Sequence, residues 1–311
     1  MSPPPDLAQT VAAVPSGGYR WWYFDGLSDD GKLGFTIIFM IGAVFSPTYK
    51  KRPKASPLDH LGVHVALYRD GREAGWAMSE YPASALRVSA HELAIGSSRL
   101  VWQDGVVHGT IDERSAPIFW SSMGFHRALR GIFTLRPTSS IECAPVELSS
   151  QLGVHAWQPL APVANVDVSF SDFSFVGRGY HDTNWGSGRL EAAFRRWSWA
   201  RVGDRILYAV EPRNGAPRGF AVDLGVAQPG IAETDASFGE STPTGWGLRT
   251  PDHFTVGAQT VNVTSFLDRT PFYSRYVATS GDERGVGEYL DLDRFVRPGV
   301  QFLLHFRRQR R

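Results

Sequence analysis

Three Asp-Gly pairs between runs of β-branched and aromatic residues constrain the fold of this chain more than any other feature. They are Asp30-Gly31, Asp70-Gly71 and Asp104-Gly105. An Asp-Gly pair is the strongest short-range signal for a two-residue hairpin turn. Turn signals recur about every 8–12 residues, as in β-sandwiches and β-barrels. No long apolar stripe of helical period is present, so we predict a mostly β chain with little helix.

Each hairpin turn also predicts a register. The first turn places Tyr23 opposite Ile38, and the second places Val65 opposite Trp76. A slip of one residue would move every side chain of a strand to the other face of the sheet, so these pairings are sharp predictions.

A further hairpin is predicted at Gly203-Asp204, where Trp199 would face Tyr208. The opposite face of that hairpin would carry the Arg196–Glu211 pair. The predicted apolar face has four members: Trp197, Trp199, Tyr208 and Val210.

The composition of the middle of the chain predicts a junction between two β-rich domains. The segment from Pro145 to Pro162 is rich in Pro, Ser and Gln, and a new strand pattern begins at Val166. We therefore predict one domain over residues 1–160 and a second over residues 161–311, each of normal domain size.

Composition excludes several classes of function. The single cysteine, Cys143, rules out a disulfide framework and a cysteine-based zinc site. The formal net charge of +1 offers no global field that would recruit nucleic acid. No dinucleotide loop or phosphate-binding loop occurs. We predict no cofactor and no metal.

The sequence also bears on location. The sequence does not open with the positively charged residues and following apolar run that are typical of a secretory signal peptide. The longest charge-free apolar run, Leu33–Phe45, is shorter than the roughly 20 residues that cross a bilayer. We therefore expect a soluble, cytoplasmic protein. Four arginines close the chain after Phe306, and they predict either a solvated tail or a weak grip on an anionic membrane.

The densest group of hydrogen-bonding side chains lies between Gly177 and Gly188. It comprises Tyr180, His181, Asp182, Asn184 and Trp185. Such a cluster has two interpretations: a polar network that only joins strands, or an active site.

Five stretches of the chain together resemble carotenoid 1,2-hydratase, also called hydroxyneurosporene synthase. They are Tyr19–Asp25, Phe39–Pro47, Trp157–Pro162, Gly179–Gly186 and Thr270–Tyr273. The resemblance implies two lipocalin-like β domains, of barrel or sandwich type, with a ligand cleft between them. It implies a cofactor-free hydro-lyase that adds water to the C1=C2 bond of an acyclic carotene such as neurosporene or lycopene. The substrate lives in a bilayer, so we expect transient contact with membrane lipid at a cytoplasmic or photosynthetic membrane.

The resemblance also implies the site. It assigns acid chemistry to His181 and Asp182, with Trp185 nearby and Tyr208 as an aromatic partner. Protonation of C2 leaves a tertiary cation at C1, and a carboxyl donor must stay protonated near neutral pH, which requires burial. Asp182 is the first candidate for the donor; the alternative is protonated His181 oriented by Asp182.

A single aromatic ring stabilises a cation by only about 0.5–2 kcal/mol, so several rings must act together. We expect them among five further aromatic residues: Trp21, Trp22, Tyr23, Trp197 and Trp199. Asp25 and Glu80 are reserve acids if they face inward.

Two other functions remain open from the sequence. A lipid-binding lipocalin-like protein would bind the polyene without forming product. A pericyclase or isomerase acting on another polyene would have a short, enclosed pocket instead of a long apolar groove.

Overall fold

The computed structural model describes residues 6–115, 127–138, 143–148, 152–225 and 230–311. The chain forms two compact units. The first contains the residues up to Leu148 together with Val154–Arg189 and Phe302–Arg311, and the second is mainly Leu190–Gln301.

Twelve strands of the first unit, joined by one more near the C-terminus, form a single curled sheet. Its strand order is β4-β3-β2-β1-β12-β11-β9-β8-β7-β6-β5, and β10 pairs with β11. The twelve strands are β1 (Tyr19–Ser28), β2 (Leu33–Ile41), β3 (Leu61–Arg69), β4 (Arg72–Tyr81), β5 (Leu86–Val88), β6 (Glu92–Ile95), β7 (Ser98–Gln103), β8 (Val106–Arg114), β9 (Ala128–Pro137), β10 (Val146–Glu147), β11 (His155–Phe170) and β12 (Phe173–Gly186).

The predicted register at the first turn is confirmed, with Tyr23 opposite Ile38. At the turns of Asp70 and Asp104, each Asp and the Gly that follows it adopt positive φ angles between 50° and 77°. Few L-residues tolerate this region, which explains the Asp-Gly sequence at these two turns.

The predicted pairing of Val65 with Trp76 is wrong by one residue. A bulge between Leu67 and Tyr68 shifts the register, so that Val65 pairs with Ala77 and Trp76 pairs with Ala66. The extra residue turns Trp76 away from the face that carries the buried core of the sheet. The hydrophobic pattern did not reveal this bulge because alternation on both sides of it remains intact.

The second unit contains a closed barrel of eight strands in the order β13-β14-β15-β16-β19-β20-β21-β22, with β17 and β18 paired separately. The predicted mostly β fold, with two β units and little helix, is confirmed. The strands are β13 (Phe194–Val202), β14 (Arg205–Pro212), β15 (Arg218–Asp223), β16 (Ile231–Phe238), β17 (Ser241–Pro243), β18 (Arg249–Pro251), β19 (His253–Val256), β20 (Gln259–Arg269), β21 (Tyr273–Ser280) and β22 (Glu283–Asp291).

The barrel begins with the hairpin predicted at Gly203-Asp204, and its register is confirmed. Trp199 pairs with Tyr208, and Arg196 pairs with Glu211 and forms an ion pair with it. The barrel core contains the alternate residues of these strands, among them Ala200 and Leu207. The Trp-Tyr face therefore lies on the outside of the barrel wall, although its side chains are buried.

The division between the units differs from the boundary predicted at residue 160. Residue 160 lies inside β11, which pairs along most of its length with β12 of the same sheet. Residues 161–189 consequently belong to the first unit, and the Tyr180–Asp182 motif lies there and not in the second domain. Proline is tolerated in β11 at irregular pairing positions, such as the register shifts after Pro159.

Helices are few and short. One of the short elements is a 3₁₀ turn at Ala83–Ala85. Across the described ranges, no helix is long and apolar enough to cross a membrane. The α-helices are α1 (Leu7–Ala12), α2 (Pro47–Lys50), α3 (Leu190–Ala193), α4 (Leu292–Phe295) and α5 (Pro298–Arg307), and a second 3₁₀ turn is Pro57–Asp59.

Three of the C-terminal arginines, Arg307, Arg308 and Arg311, contact acidic side chains of the first unit, so the expected solvated tail does not describe them. The last strand, β23 (Gln309–Arg310), adds in parallel to the edge of β4. The Arg307 guanidinium lies 4.1 Å from the ring centre of Trp76 and 3.1 Å from the Glu73 carboxylate. The bulge in β4 therefore presents Trp76 to the returning chain.

Arg308 forms an ion pair with Glu80, and both side chains are buried. Arg308 also donates to the Thr48 hydroxyl at 2.9 Å and to the Ser46 hydroxyl. Glu80, considered above as a reserve acid, is thus the partner of a buried cation, and this role excludes it from proton delivery. Arg311 lies 3.7 Å from buried Glu113.

The apolar run Leu33–Phe45 is equally unavailable to a membrane. Most of it forms β2, which hydrogen-bonds to β1 on one side and to β3 on the other. Its apolar side chains are largely buried.

Breaking the Arg308–Glu80 pair should destabilise the protein strongly, because it leaves a buried carboxylate without its cation. We expect Arg308→Met to lower the free energy of unfolding by about 3–5 kcal/mol in urea denaturation followed by circular dichroism. The double variant Glu80→Gln/Arg308→Met should recover part of this loss. The exposed Arg310→Met is the matched control and should change stability by less than about 0.5 kcal/mol. A loss at Arg308 no larger than the control would contradict the role of the pair.

Candidate active site

The candidate site is set by three adjacent strands, β1, β12 and β11, whose side chains alternate between two faces of the sheet. Asp182 and His181 are neighbours in β12, so they point to opposite faces. The pairs across β1 and β12 are Tyr23 with Asp182, Phe24 with His181, and Asp25 with Tyr180. The predicted catalytic residues are therefore divided between the faces.

Asp182 lies on the face opposite the sheet's core cluster and is only 5% exposed. Its Oδ2 accepts hydrogen bonds from the Tyr180 hydroxyl at 2.8 Å and from the Trp157 indole N–H at 3.0 Å. Its Oδ1 accepts from the Asn184 amide at 3.0 Å. Three uncharged donors thus hold one buried carboxyl group in a fixed orientation.

Strand β1 adds a second carboxyl group to the same face. Asp25 is fully buried directly across from Tyr180, and its Oδ2 accepts from the Tyr23 hydroxyl at 3.3 Å. The rings of Tyr23 and Tyr180 meet edge to face with centres 6.1 Å apart. Asp25 and Asp182 are diagonal neighbours across two strands, a separation of about 7–8 Å in a regular sheet.

Tyr180 remains a neutral hydrogen-bond donor in this cluster. Burial, the largest cause, raises its pKa well above the ordinary value. Its proton consequently stays on the phenol and is available to Asp182.

His181, on the opposite face, is an uncharged residue of the core. Its ring stacks on Phe24 with centres 4.0 Å apart, and its Nδ1 donates to the Tyr23 carbonyl at 2.9 Å. Burial lowers the pKa of His181 to about 4. Among the described residues, its Nε2 has no hydrogen-bond partner. The structure therefore gives Asp182 no contact through which it could orient His181.

Trp185 and Trp22 lie on the same face of the sheet as His181, and a cationic side chain already packs against their rings. The Arg20 guanidinium lies 4.5 Å from the ring centre of Trp185 and 5.6 Å from that of Trp22. Arg20 also donates to the Thr183 hydroxyl at 3.1 Å. Burial lowers the pKa of Arg20 to about 10, so it stays charged at neutral pH. This arrangement makes a poor receptor for a second cation.

Trp21 continues the Asp182 face toward the start of β1. It stacks on Tyr19 with ring centres 4.8 Å apart, and the Tyr19 hydroxyl lies 3.2 Å from Nδ1 of His155. Burial lowers the pKa of His155 to about 4. The face is thus aromatic along its length and carries its two acids near the centre.

The remaining predicted residues, Trp197, Trp199 and Tyr208, belong to the barrel of the second unit. The rings of Trp197 and Tyr208 are 6.4 Å apart, and Trp199 pairs with Tyr208 across β13 and β14. All three are buried.

Tyr180 and Asn184 belong to the polar cluster recognised in the sequence but were given no role there, and Trp157 was not singled out. All three contact Asp182 directly. The signal for two of them was present: Tyr180, Asp182 and Asn184 are spaced by two, so they share one face of any strand. Trp157 comes from β11, and only the pairing of β11 with β12 brings it to the site.

The profile of the family described as carotenoid hydratase CrtC matches residues 37–311. The chain is 35% identical to the acyclic carotenoid 1,2-hydratase of Thiocapsa roseopersicina over 313 residues, which cover 96% of this chain and 74% of that protein. It is 32% identical to the acyclic carotenoid 1,2-hydratase of Cereibacter sphaeroides, covering 88% of this chain and 98% of that one.

A similar fold occurs in a crystal structure of a proposed AttH protein from Nitrosomonas europaea. The superposition has a TM-score of 0.60 with 16% sequence identity and covers 87% of this chain and 91% of that one. This similarity concerns the fold alone.

The depressed pKa of His181 predicts a dependence of stability on pH. The group is neutral in the folded protein down to about pH 4, whereas it takes up a proton near pH 6.5 when unfolded. The unfolded state therefore binds more protons between these values, and the free energy of unfolding falls as the pH drops from 6.5 toward 4, by about 3 kcal/mol for this group. Urea denaturation at pH 7, 5.5 and 4.5 measures this slope.

His181→Gln, which keeps a neutral hydrogen-bonding side chain, should flatten the slope. His108→Gln, at an exposed position, serves as the control and should leave the slope unchanged. Equal slopes for the native protein and His181→Gln would show that His181 is not held neutral by burial.

Proposed function

The chain belongs to the carotenoid hydratase CrtC family and is a carotenoid 1,2-hydratase, a hydro-lyase acting on acyclic carotenoids; we propose that Asp182 delivers the proton that starts the reaction. The observation that carries this proposal is the hydrogen bonding of the buried Asp182 carboxyl group by Tyr180, Trp157 and Asn184.

Addition of water to the C1=C2 bond requires a proton at C2 and a water oxygen at C1. Transfer of the Asp182 proton to C2 uses the π electrons of the alkene and leaves a tertiary cation at C1. Water then bonds to C1 and loses a proton, which gives the tertiary 1-hydroxy carotenoid. Two groups are needed, one that gives a proton and one that accepts a proton.

A proton donor must be protonated before the transfer and ionised after it, and the surroundings of Asp182 favour each state in turn. We propose that Asp182 keeps its proton at rest, because burial and the neighbouring Asp25 carboxyl group both disfavour a second negative charge on this face. After transfer, the three donors stabilise the carboxylate, and its negative charge lies beside the new cation. The proton would reside on Oδ1, because Oδ2 already accepts from both Tyr180 and Trp157.

Asp25 is the proposed acceptor of the proton from water. It lies on the same face as Asp182, one strand away, and the Tyr23 hydroxyl orients it. Loss of that proton from Asp25 and return of a proton to Asp182 close the cycle, so that neither carboxyl group changes over a turnover.

Aromatic side chains of the same face would stabilise the cation. Trp21, Tyr23, Trp157 and Tyr180 surround the two carboxyl groups, and each ring face contributes about 0.5–2 kcal/mol. Trp197, Trp199 and Tyr208 of the barrel are proposed to contact the polyene. We assign His181 and Trp185 to holding the sheet, because one is neutral in the core and the other is covered by Arg20.

The lipophilic substrate supports a location as well. We propose that the protein works at the cytoplasmic face of a membrane and contacts lipid reversibly, since an acyclic carotenoid dissolves in the bilayer and not in water.

Asp182→Asn should abolish hydration while leaving the fold intact, because the amide keeps the size of the side chain but supplies no acidic proton. Incubation with lycopene or neurosporene followed by mass spectrometry measures the gain of one water. We expect a rate at least about 10³-fold lower than that of the native protein.

The matched control is Asp167→Asn, an exposed aspartate of β11, which should retain full activity. His181→Gln should stay within about tenfold. Native rates in Asp182→Asn, or loss of activity in His181→Gln comparable to that expected for Asp182→Asn, would overturn the assignment of the donor.

A further inference from the structure

The C-terminal half of α5 exposes a cluster of large apolar side chains. Phe302 is 62% exposed, Leu303 41% and Phe306 43%. Their spacing places them on one side of the helix, and the rings of Phe302 and Phe306 touch with centres 5.0 Å apart. Exposed large apolar groups that adjoin one another are typical of an interaction surface.

This cluster is held in place by the ion pairs that follow it. Arg307 contacts Glu73 and Trp76, and Arg308 is buried against Glu80. The segment therefore keeps its position on the first unit, and its apolar residues remain exposed in the folded protein.

A basic loop lies beside the cluster. Arg308 donates to Thr48 in α2, and the residues that follow α2 include exposed Lys51, Arg52 and Lys54. His305 lies between the apolar residues of α5. Its pKa is lowered mainly by burial, and then by the positive charges of Arg308 and of Lys51 in this loop. Apolar and basic groups thus adjoin on the surface of one unit.

We propose that the apolar residues Phe302, Leu303 and Phe306 and the basic residues Lys51, Arg52 and Lys54 form a docking patch for an anionic lipid bilayer. The aromatic and leucine side chains enter the boundary between headgroups and acyl chains, and the three cations contact anionic headgroups. A second copy of the chain fits less well, because a two-fold contact would bring like charges together. The proposal rests on the proposed function in one respect: a hydratase of carotenoids must reach a substrate dissolved in a membrane.

Flotation with vesicles tests the patch. The full chain is mixed with vesicles of phosphatidylcholine alone or of phosphatidylcholine with phosphatidylglycerol, and the bound fraction is measured. We expect binding to the anionic vesicles that weakens with salt. The apolar variant Phe302→Ser/Leu303→Ser/Phe306→Ser and the basic variant Lys51→Glu/Arg52→Glu/Lys54→Glu should each bind at least tenfold more weakly.

The control variant Ile132→Ser/Val176→Ser removes apolar side chains that are 56% and 66% exposed on the sheet, and it should bind as the native chain does. Circular dichroism checks that every variant is folded. Native-like binding by both patch variants, or an equal loss in the control, would overturn the proposal. So would a dimer in size-exclusion chromatography that only the apolar variant dissociates, with no vesicle binding by the native chain.

Hydration of detergent-dispersed lycopene separates this proposal from the proposed function. The patch variants should retain the native rate in detergent and lose it, at least tenfold, with lycopene in anionic vesicles. A native chain that hydrates lycopene in detergent yet never floats refutes the patch alone. A native chain that floats but forms no product in either medium refutes the proposed chemistry and leaves the patch standing.

Discussion

The alternation of side chains along β12 is the constraint on which the candidate site depends. A shift of one residue in the register of β12 would place His181, in place of Asp182, on the face that carries the two carboxyl groups. Pairing with β1 on one side and β11 on the other fixes that register, and it brings Asp25 and Trp157 to the same face as Asp182. The donor, the acceptor and the rings that we propose to stabilise the cation all follow from this single register.

Two buried carboxyl groups of the first unit, those of Glu80 and Asp182, are satisfied in different ways. Glu80 pairs with the Arg308 guanidinium, which ties the end of the chain to the sheet. Asp182 instead accepts hydrogen bonds from three uncharged groups. Neutral donors lower the energy of the carboxylate without opposing a positive charge nearby.

Local patterns predicted much of the fold, and distant pairing decided the rest. The turns at Asp30-Gly31 and Gly203-Asp204 gave correct registers because a short loop fixes which residues face each other. The bulge opposite Leu67 was missed, since one inserted residue leaves the alternation intact. The boundary near residue 160 was misplaced because the Pro-rich composition of β11 resembles a linker, whereas its partner β12 makes it a strand. Arg307 and Arg308 carry no signal of their acidic partners, which lie more than 200 residues away.

The central claim is that Asp182 carries a proton in the resting protein at neutral pH. Infrared difference spectroscopy between the native protein and Asp182→Asn tests it most directly, because a protonated carboxyl group has a carbonyl stretch distinct from that of a carboxylate. The account predicts that a protonated-carboxyl band, sensitive to deuterium oxide, is present at pH 7 in the native protein, is lost in Asp182→Asn and persists in His181→Gln. A difference spectrum that shows only the loss of a carboxylate band would contradict it.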